Sequence, residues 1–319
     1  MKHIFIVNPK SGKADARVYL EPKLCDAARA AGVDFDVVHT EYAGHAAQYA
    51  RQYAEAGEPV RLYACGGDGT LNEVFAGACG HANAEVASVP CGSGNDFVRN
   101  FGTSENFLDL ADNVAGTAVP IDLVRTDMGI SAAICSVGLD ADVAYRIPHF
   151  RRIPLCGGSM AYNLAIVESL LRPLGHRLRV QADDTVYEDD FLIVAVCNGV
   201  AYGGGFRAAP TADVQDGLLE VVLVKKLSRL RLTSLLALYK AGKHIENGVV
   251  IPQLQGVMTY IQAKKVTITP LGTKPVVVNV DGECSKRPGL HLEVLPGAAR
   301  FVLPAALAAR AKTPAAVEA

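Results

Sequence analysis

The residues best suited to chemistry lie in one short turn, residues 66–70, with the sequence Gly-Gly-Asp-Gly-Thr. A β-rich run, 59–65, leads into this turn, and a run with helical spacing, 71–79, leads out of it. Glycine allows backbone N–H groups to approach a phosphate closely, and a helix N-terminus adds partial positive charge. Asp68 would repel a phosphate, so we expect it to hold Mg²⁺ or to accept a proton. The Gly-Lys-Ser/Thr ending of a Walker A loop does not occur in this turn.

The first half of the chain alternates strand-like runs with helical patterns. Strands are expected at 3–7, 34–39, 59–65 and 85–89, and helices at 14–31, 44–56 and 71–79. Successive β-α units predict a doubly wound parallel sheet with right-handed crossovers. Two more polar loops, 8–13 and 90–97, together with Thr40, then share one sheet edge with the glycine-rich turn, where such sheets bind ligands. At Thr40 a plain turn explains the residue equally well.

The pattern changes near residue 118 and becomes rich in β structure. Strands are expected at 119–126, 130–137, 176–182, 190–198, 218–225, 264–269, 276–280, 290–295 and 299–303, and helices at 159–171 and 228–240. Residues 127–129 are typical of a hairpin, so most pairing should be antiparallel, as in a sandwich or a curled sheet. We therefore expect an α/β domain at 1–122, a β-rich domain at 123–297 and a frayed tail at 313–319.

The composition narrows the possible partners and the compartment. The formal net charge of −2 gives no case for nucleic-acid binding, and half of the 319 residues are hydrophobic, which is enough for a sizeable core. The eight cysteines form no C-x-x-C pair and no zinc-type cluster, so we expect reduced thiols. No apolar run has the length of a membrane span, and the first residues do not form a signal peptide. We therefore expect a cytoplasmic protein.

Acidic residues outside the central turn are candidates for metal binding or proton transfer. Asp213 and Asp216 are three residues apart ahead of a strand, so both carboxylates can face one hard cation, although a simple Asp-Gly turn also explains them. Asp122, near the change of pattern, is a further candidate Mg²⁺ ligand beside Asp68. Glu283 follows a buried-type strand and an Asp-Gly turn, so it is either a general base or part of a plain hairpin. Asp68 is the rival candidate for the base.

Five sequence blocks occur in the order and at the spacing of the bacterial diacylglycerol kinase-like lipid kinases. The blocks are residues 8–12, 66–73, 92–97, 198–219 and 280–283. The chain resembles this family, which shares the central turn with sphingosine, ceramide and NAD kinases and with phosphofructokinases. The Gly-Ser-Gly-Asn-Asp-Phe block at 92–97 favours lipid kinases over NAD kinases. Ser93 stands where many relatives have threonine, and the hydroxyl is kept.

The resemblance implies ATP-dependent phosphorylation of a lipid hydroxyl, on a phosphofructokinase- or NAD kinase-like first domain and a β-rich, sandwich-like second domain. The residues that it implies for ATP binding are Asn8, Ser11, Thr40, Gly66, Gly67, Asp68, Gly69, Thr70, Asn72, Glu73, Ser93, Gly94 and Asn95. It also implies a structural Mg²⁺ on Asp213, Asp216 and the carbonyl of Leu218, with Glu283 as the general base. Residues 298–312 are expected to return to the first domain.

The lipid, its surface and the assembly stay open at this stage. Residues 145–180 carry eight Arg and His side chains and one acid, Glu168, beside the apolar residues 153–155. This patch suits docking on the anionic inner membrane surface, and it suits a solvated basic face equally well. A kinase for a soluble substrate such as NAD and a non-catalytic nucleotide-binding regulator are the alternative functions. Antiparallel edge strands permit a homodimer.

Overall fold

The computed structural model describes residues 1–12, 14–153 and 158–312, and the predicted tail at 313–319 lies outside them. The chain divides into two units: the first is Met1–Leu123 with the chain from Pro296 onward, and the second is Val124–Leu295. The first unit begins with β1 Lys2–Val7, α1 Ala16–Tyr19, α2 Glu21–Ala30, β2 Phe35–His39, α3 His45–Glu55, β3 Val60–Gly66, α4 Asp68–Ala78, β4 Ala84–Pro90 and α5 Leu110–Val114.

A parallel sheet forms the centre of the first unit, as the alternating pattern predicts. β1 lies between β2 and β3, and β4 pairs with the other side of β3. β3 and β4 are buried along their whole length, so their residues are mostly apolar without alternation. Because the strands are parallel, their carboxyl ends at Val7, His39, Gly66 and Pro90 lie at one edge of the sheet.

The helix expected at 14–31 is two helices in the structure. α1 ends at Tyr19, and the N–H of Leu20 donates to the carbonyl of Ala16 (2.9 Å). α2 then begins with Pro22 in its first turn, where the missing N–H of proline costs no helical hydrogen bond. Since the apolar spacing continues across this break, the pattern alone predicts a single helix.

The chain enters the second unit through β5, Thr117–Thr126. The elements that follow are β6 Gly129–Ser131, β7 Ile134–Gly138, α6 Leu139–Arg151, α7 Gly158–Leu171, β8 His176–Ala182, β9 Thr185–Cys197, β10 Leu219–Lys225, α8 Arg229–Ala241, β11 Ile245–Glu246, β12 Val249–Val250, β13 Met258–Ala263, β14 Lys265–Pro270, β15 Val276–Val280, β16 Glu283–Arg287 and β17 Leu290–Leu303. A last helix, α9 Ala305–Lys312, follows β17. The β-rich, antiparallel character of this unit is confirmed.

Strand β10 of the second unit is covered on both faces. The first part of β9 pairs with β8, and its last part lies between β7 and β10. In β10, Val221 and Leu223 belong to the core between the strands, whereas Val222 and Val224 pack with residues of α6, α7 and α8. A strand that is covered on both sides is apolar at successive positions, which explains the continuous apolar run of β10.

Helix α6 is an element that the sequence pattern does not indicate. It contains Pro148, which interrupts the helical pattern in the sequence, and its apolar residues do not lie clearly on one face. The helix starts after Gly138, which has a φ of +125° and lies against the backbone of β9: a Cβ there would be 2.4 Å from the carbonyl oxygen of Leu192. Acidic residues in the first turn favour this start, because their negative charges are attracted to the positive end of the helix dipole.

β17 belongs to both units. Its first part pairs with β14, with Glu293 opposite Lys265, and its last part pairs in parallel with β4, with Phe301 opposite Val86. The ring of Phe301 is fully buried, and its centroid lies 5.2–5.8 Å from those of four other rings, Phe75, Phe97, Phe101 and Phe107. The end of the chain therefore completes the aromatic core of the first unit.

The cysteines and the helices of the described residues agree with the expectations of reduced thiols and of no membrane-spanning run. The seven cysteines in the described part of the chain are free. Cys65, Cys135 and Cys197 are buried, and burial raises the pKa of each thiol, which keeps it protonated and unreactive. Within the described residues, no helix is both long and apolar enough to cross a lipid bilayer.

His3 should make the stability of the protein depend on pH. Burial and the charge of Arg61 lower the pKa of His3 to about 4, and its Nδ1 lies 2.8 Å from the hydroxyl of Tyr63. The unfolded chain binds a proton at His3 below its ordinary pKa of 6.5, whereas the folded chain does so only near pH 4, so stability is lost as the pH falls through this window. We expect His3→Gln to reduce the slope of the unfolding free energy against pH by up to about 1.4 kcal/mol per pH unit.

Urea unfolding of both proteins between pH 7 and pH 4.5 measures this difference. Gln retains a polar partner for Tyr63, so the comparison isolates the titration of the imidazole. Equal pH dependence of the two unfolding free energies would show that His3 titrates normally in the folded protein.

Candidate active site

Two glycine-rich loops meet at the carboxyl edge of the first sheet. Gly67 connects β3 to α4, and Gly92 follows the end of β4. A Cβ built on Gly92 would lie 2.5 Å from the Cα of Gly67, so the two backbones are in direct contact. A Cβ on Gly66 would lie 2.4 Å from Oγ1 of Thr70, which explains the first glycine of the turn. The glycines therefore allow two loops and one helix start to share a small volume.

Asp68 lies at the centre of this arrangement, in the first turn of α4. Its Oδ1 accepts hydrogen bonds from the backbone N–H groups of Asp96 (2.7 Å) and Phe97 (3.2 Å). Burial and the nearby charge of Asp96 raise the pKa of Asp68, whereas these N–H groups lower it. Its Oδ2 faces Gly94, where a Cβ would lie only 2.8 Å away. The geometry places two carboxylates close together beside a helix N-terminus.

Asp96 is a site residue that we did not select from the sequence. It is buried, and its charge acts on Asp68 across the junction between the two loops. A signal is present in the sequence, because Asp96 directly follows the Gly-Ser-Gly-Asn run of the second glycine-rich loop. Only the fold shows that the loops after β3 and β4 bring the two aspartates together.

The ends of β1 and β2 contribute three more of the predicted residues. Nδ2 of Asn8 donates to Oγ1 of Thr70 (3.1 Å), and the N–H of Thr40 donates to the carbonyl of Val7 (2.9 Å). The N–H of Ser11 donates to the carbonyl of Asn8 (3.1 Å) and closes the loop after β1. Asn8, Thr40 and Thr70 therefore lie at the same edge as Asp68.

A cleft of about 690 Å³ opens beside these loops. It is lined by Lys10, Ser11, Gly12, Ala14, Tyr19, Cys91, Gly92 and Ser93. Its volume is within the range of small-molecule sites. Ser11 and Ser93 were predicted to contact the ligand. Tyr19 and Cys91 were not, because Tyr19 comes from the helix after the loop and Cys91 resembles a structural thiol in the sequence.

Two of the residues that are predicted to bind the nucleotide form hydrogen bonds to the backbone of the site. Both oxygens of Glu73 accept hydrogen bonds from the start of α3, from the N–H groups of Gly44 (2.8 Å) and Ala46 (3.1 Å). Asn95 has a φ of +50°, and its amide bonds both the N–H and the carbonyl of Gly92 (3.1 and 2.9 Å). These bonds show that Glu73 and Asn95 hold the backbone of the loops. Contact of either residue with ATP stays a prediction.

The remaining predicted residues of the first unit lie on α4 and β5. Gly69 and Asn72 are in the first turns of α4, after Asp68. Asp122 is buried in β5, and its Oδ1 accepts a hydrogen bond from the N–H of Gly297 (2.7 Å). This bond ties the chain that leaves the first unit to the chain that returns to it. A role of Asp122 in binding Mg²⁺ stays a prediction.

The predicted metal loop of the second unit precedes β10. Oδ1 of Asp213 accepts from the N–H of Gln215 (3.0 Å), and Oδ1 of Asp216 accepts from the N–H of Leu218 (2.9 Å). Asp213 and Asp216 are both exposed. In the part of the chain that the structure describes, no three His, Cys, Asp or Glu side chains are grouped to hold a metal. A cation at this loop would therefore need carbonyl or water ligands in addition to the two carboxylates.

Glu283 is the exposed first residue of β16 and lies opposite Val280. The turn before it, Asp281 and Gly282, has φ values of +47° and +94°. The carboxylate of Asp281 accepts hydrogen bonds from the N–H groups of Ala132 (2.6 Å) and Ile134 (2.8 Å). Burial raises the pKa of Asp281, and these bonds lower it. A buried carboxylate thus fixes the turn and leaves the Glu283 side chain accessible.

Comparison with known families agrees with both halves of this description. Residues 2–126 match the diacylglycerol kinase catalytic domain. Residues 133–303, more than half of the chain, match the YegS C-terminal NAD kinase beta sandwich-like domain. The chain belongs to the YegS-like lipid kinase family. This lipid kinase family carries the predicted order of an α/β domain followed by a β-rich domain.

Individual relatives of this family member cover most of its length. A diacylglycerol kinase from Bacillus subtilis (strain 168) is 28% identical over 283 residues, 87% of this chain and 88% of that protein. A YegS-like lipid kinase from Stenotrophomonas maltophilia (strain K279a) is 29% identical over 87% of this chain and 89% of its own. The crystal structure of a diacylglycerol kinase from Bacillus anthracis has a TM-score of 0.67 at 22% identity, covers 96% of this chain and shares its fold.

Gly92→Ala should weaken ATP binding by roughly 10- to 100-fold. The added Cβ would overlap the backbone of Gly67, and overpacking of this kind costs about 1–3 kcal/mol, where 1.4 kcal/mol is tenfold in affinity. Titration with a fluorescent ATP analogue measures the change. Gly256→Ala is the matched control, because a Cβ there meets nothing within 4 Å. Unchanged affinity in Gly92→Ala would show that the contact between the two loops does not shape the nucleotide site.

Proposed function

We propose that this protein transfers the γ-phosphate of ATP to the hydroxyl of a lipid related to diacylglycerol. The observation that carries the proposal is the pair of glycine-rich loops in contact around Asp68 at the sheet edge. Phosphoryl transfer depends on positioning and on neutralising charge, and backbone N–H groups at a helix N-terminus supply both. Family membership supports ATP as the donor, and the names of the relatives support a diacylglycerol-like acceptor.

We assign the nucleotide to the cleft beside these loops. Ser11 and Ser93 line the cleft and offer hydroxyl groups, and Asn8, Thr40 and Thr70 lie at the adjoining sheet edge. The N–H groups of residues 66–70, 93 and 94 are the proposed phosphate donors, and most of these positions are glycines that let a phosphate approach. The N–H of Gly92 is not among them, because it donates to Asn95. Lys10, which also lines the cleft, adds a positive charge.

The donor set around Asp68 fits a magnesium ion. Mg²⁺ prefers a few carboxylate oxygens together with water and phosphate oxygens. Asp68 and Asp96 provide two carboxylates, of which Asp96 also pairs with Arg99 (3.2 Å). When bound, the ion would neutralise charge on the phosphates of ATP. Asp122 is a further proposed ligand. A second, structural Mg²⁺ at Asp213, Asp216 and the carbonyl of Leu218 rests on the family resemblance and on the loop that the three residues share.

Glu283 is our candidate for the general base. An accessible carboxylate at a strand end can take the proton of an attacking hydroxyl, and the turn fixed by Asp281 would keep its position constant.

The lipid acceptor places the reaction at a membrane surface, and we propose the cytoplasmic face. A homodimer through an edge strand stays a prediction.

Transfer of radiolabelled phosphate from ATP, with Mg²⁺, to a panel of lipids in mixed micelles tests the proposal. The panel contains diacylglycerol, phosphatidylglycerol and a sphingoid base. We expect one lipid class to be labelled, and we expect the label to disappear in Asp68→Ala. Binding of ATP without any labelled lipid would contradict the proposal and favour a soluble acceptor or a regulatory role.

A further inference from the structure

Helix α7 presents an apolar face to solvent. Four large side chains on it are exposed: Met160 (48%), Leu164 (39%), Val167 (53%) and Leu171 (78%). Their spacing of four, three and four residues puts them on one side of the helix. We call these four residues the α7 stripe. Apart from Asn163, all the exposed positions from Met160 to Leu171 are apolar, which is unusual for the solvent side of a helix.

The opposite side of α7 already holds the helix in place. Ala161 and Ala165 are fully buried, and Tyr162, Ile166 and Leu170 pack against the core of the second unit. The stripe is therefore not needed for this packing. A helix that is apolar all round is normally buried on all sides, and a contiguous exposed apolar patch marks a surface that binds something.

Positive charges lie at the C-terminal end of the stripe. At its C-terminal end, the guanidinium of Arg229 donates to the carbonyls of Leu170 (2.8 Å) and Arg172 (3.2 Å), so two arginines lie next to Leu171. Glu168 contributes no free negative charge, because Arg172 (2.6 Å) and Arg146 (3.5 Å) both pair with it. The stripe is thus apolar along its length and cationic at this end.

Helix α6 adds cations beside the stripe. The Arg146–Glu168 pair joins α6 to α7, and Arg151 and Arg152 at the end of α6 are exposed, followed by Ile153 (46% exposed). The other predicted apolar residues of this loop, Pro154 and Leu155, lie outside the described residues. Several cations of the predicted basic patch are paired: Arg146 and His176 with Asp142, and Arg179 with Glu188. Fewer cations are therefore available to contact an anionic surface than the sequence suggests.

We propose that the α7 stripe lies in the boundary between headgroups and acyl chains of a bilayer that contains anionic phospholipid. An apolar helix face bordered by arginines is the pattern of interfacial helices, in which the side chains enter the acyl region and the cations contact headgroup phosphates. The inference deepens the proposed lipid kinase function, on which it rests, by naming the surface that reaches the lipid. Anionic headgroups complement Arg151, Arg152 and Arg229 in charge, whereas an apolar protein partner would leave these cations unused.

Co-sedimentation with vesicles tests the proposal. The variant carries Leu164→Gln, Val167→Gln and Leu171→Gln, and the matched control carries Val249→Gln and Leu271→Gln, which are exposed apolar residues elsewhere in the same unit. We expect the stripe variant to bind phosphatidylglycerol/phosphatidylcholine vesicles at least about tenfold more weakly, and the control to bind like the wild type. Phosphorylation of a short-chain, monomerically dispersed diacylglycerol should be unchanged in both, because the stripe does not take part in the reaction.

A second pair of measurements identifies the surface. Arg151→Gln with Arg152→Gln should weaken binding to phosphatidylglycerol vesicles, and the wild type should bind pure phosphatidylcholine more weakly. Wild-type vesicle binding by the stripe variant, or equal losses in the Val249/Leu271 control, would overturn the proposal. So would a wild-type oligomer that only the stripe variant dissociates while vesicle binding persists. If the wild type binds vesicles through the stripe but labels no lipid, the docking surface stands and the kinase proposal fails.

Discussion

Glu283→Gln is expected to reduce lipid phosphorylation by roughly 10²–10⁴-fold, the usual contribution of a general base. The amide has the shape of the carboxylate but cannot accept the proton of the lipid hydroxyl. The turn before Glu283 should be unaffected, because Asp281 and its backbone partners hold it independently of the Glu283 side chain. We therefore expect the affinity for ATP to stay close to that of the wild type.

Initial rates with radiolabelled ATP and diacylglycerol in mixed micelles measure the first effect, and titration with a fluorescent ATP analogue measures the second. Glu246→Gln is the matched control, since Glu246 is also an exposed strand glutamate of the second unit. Near-normal turnover in Glu283→Gln would remove Glu283 from the mechanism and leave Asp68 as the candidate base.

Asp68→Asn should reduce phosphorylation by roughly 10²–10³-fold, the usual loss when one electrostatic group of a site is removed. Asparagine keeps the oxygen that accepts from the N–H groups of Asp96 and Phe97, so the loops should remain in contact. The variant loses the negative charge that we assign to Mg²⁺ binding. Because the pKa of Asp68 is raised in the fold, its charge opposes folding at neutral pH. We therefore expect Asp68→Asn to unfold at a higher temperature than the wild type.

This combination of lower activity and higher stability separates loss of function from loss of structure. Steady-state rates over a series of Mg²⁺ concentrations, together with thermal unfolding at pH 7, provide both values. Asp26→Asn, an exposed aspartate of the same unit, is the control and should change neither. An Asp68→Asn protein with wild-type rate and wild-type Mg²⁺ dependence would contradict our assignment.

The first unit was predictable because its signals are local. Parallel strands with buried apolar runs, such as β3, and glycines at the carboxyl ends of strands appear directly in the sequence. The glycines at 66 and 92 could be placed at one edge of the sheet from topology alone. What could not be predicted is which loop atoms meet. The hydrogen bonds from Asp96 and Phe97 to Asp68 depend on a contact between chain segments nearly thirty residues apart.

The same limit explains what the sequence does not reveal in the site and in the second unit. The sequence places Glu73 in a ligand-binding block but does not show that its carboxylate caps α3, because the helix start at Gly44 lies beside it only in the fold. Helix α6 was missed, because Pro148 interrupts its pattern and its start depends on Gly138 fitting against β9. In both cases the decisive partner comes from a distant part of the chain.

The path of β17 has a consequence for how the protein folds during synthesis. When the ribosome has made residues 1–123, the four phenylalanines around Phe301 exist, but Phe301 and the strand that pairs with β4 do not. The first unit must therefore wait, with part of its aromatic core open, until the whole of the second unit, Val124–Leu295, has been added. The unit that begins first is the last to be completed, which reverses the N-to-C order that multidomain chains usually follow. For this protein, a nascent chain stalled within the second unit would be exposed to aggregation through the first.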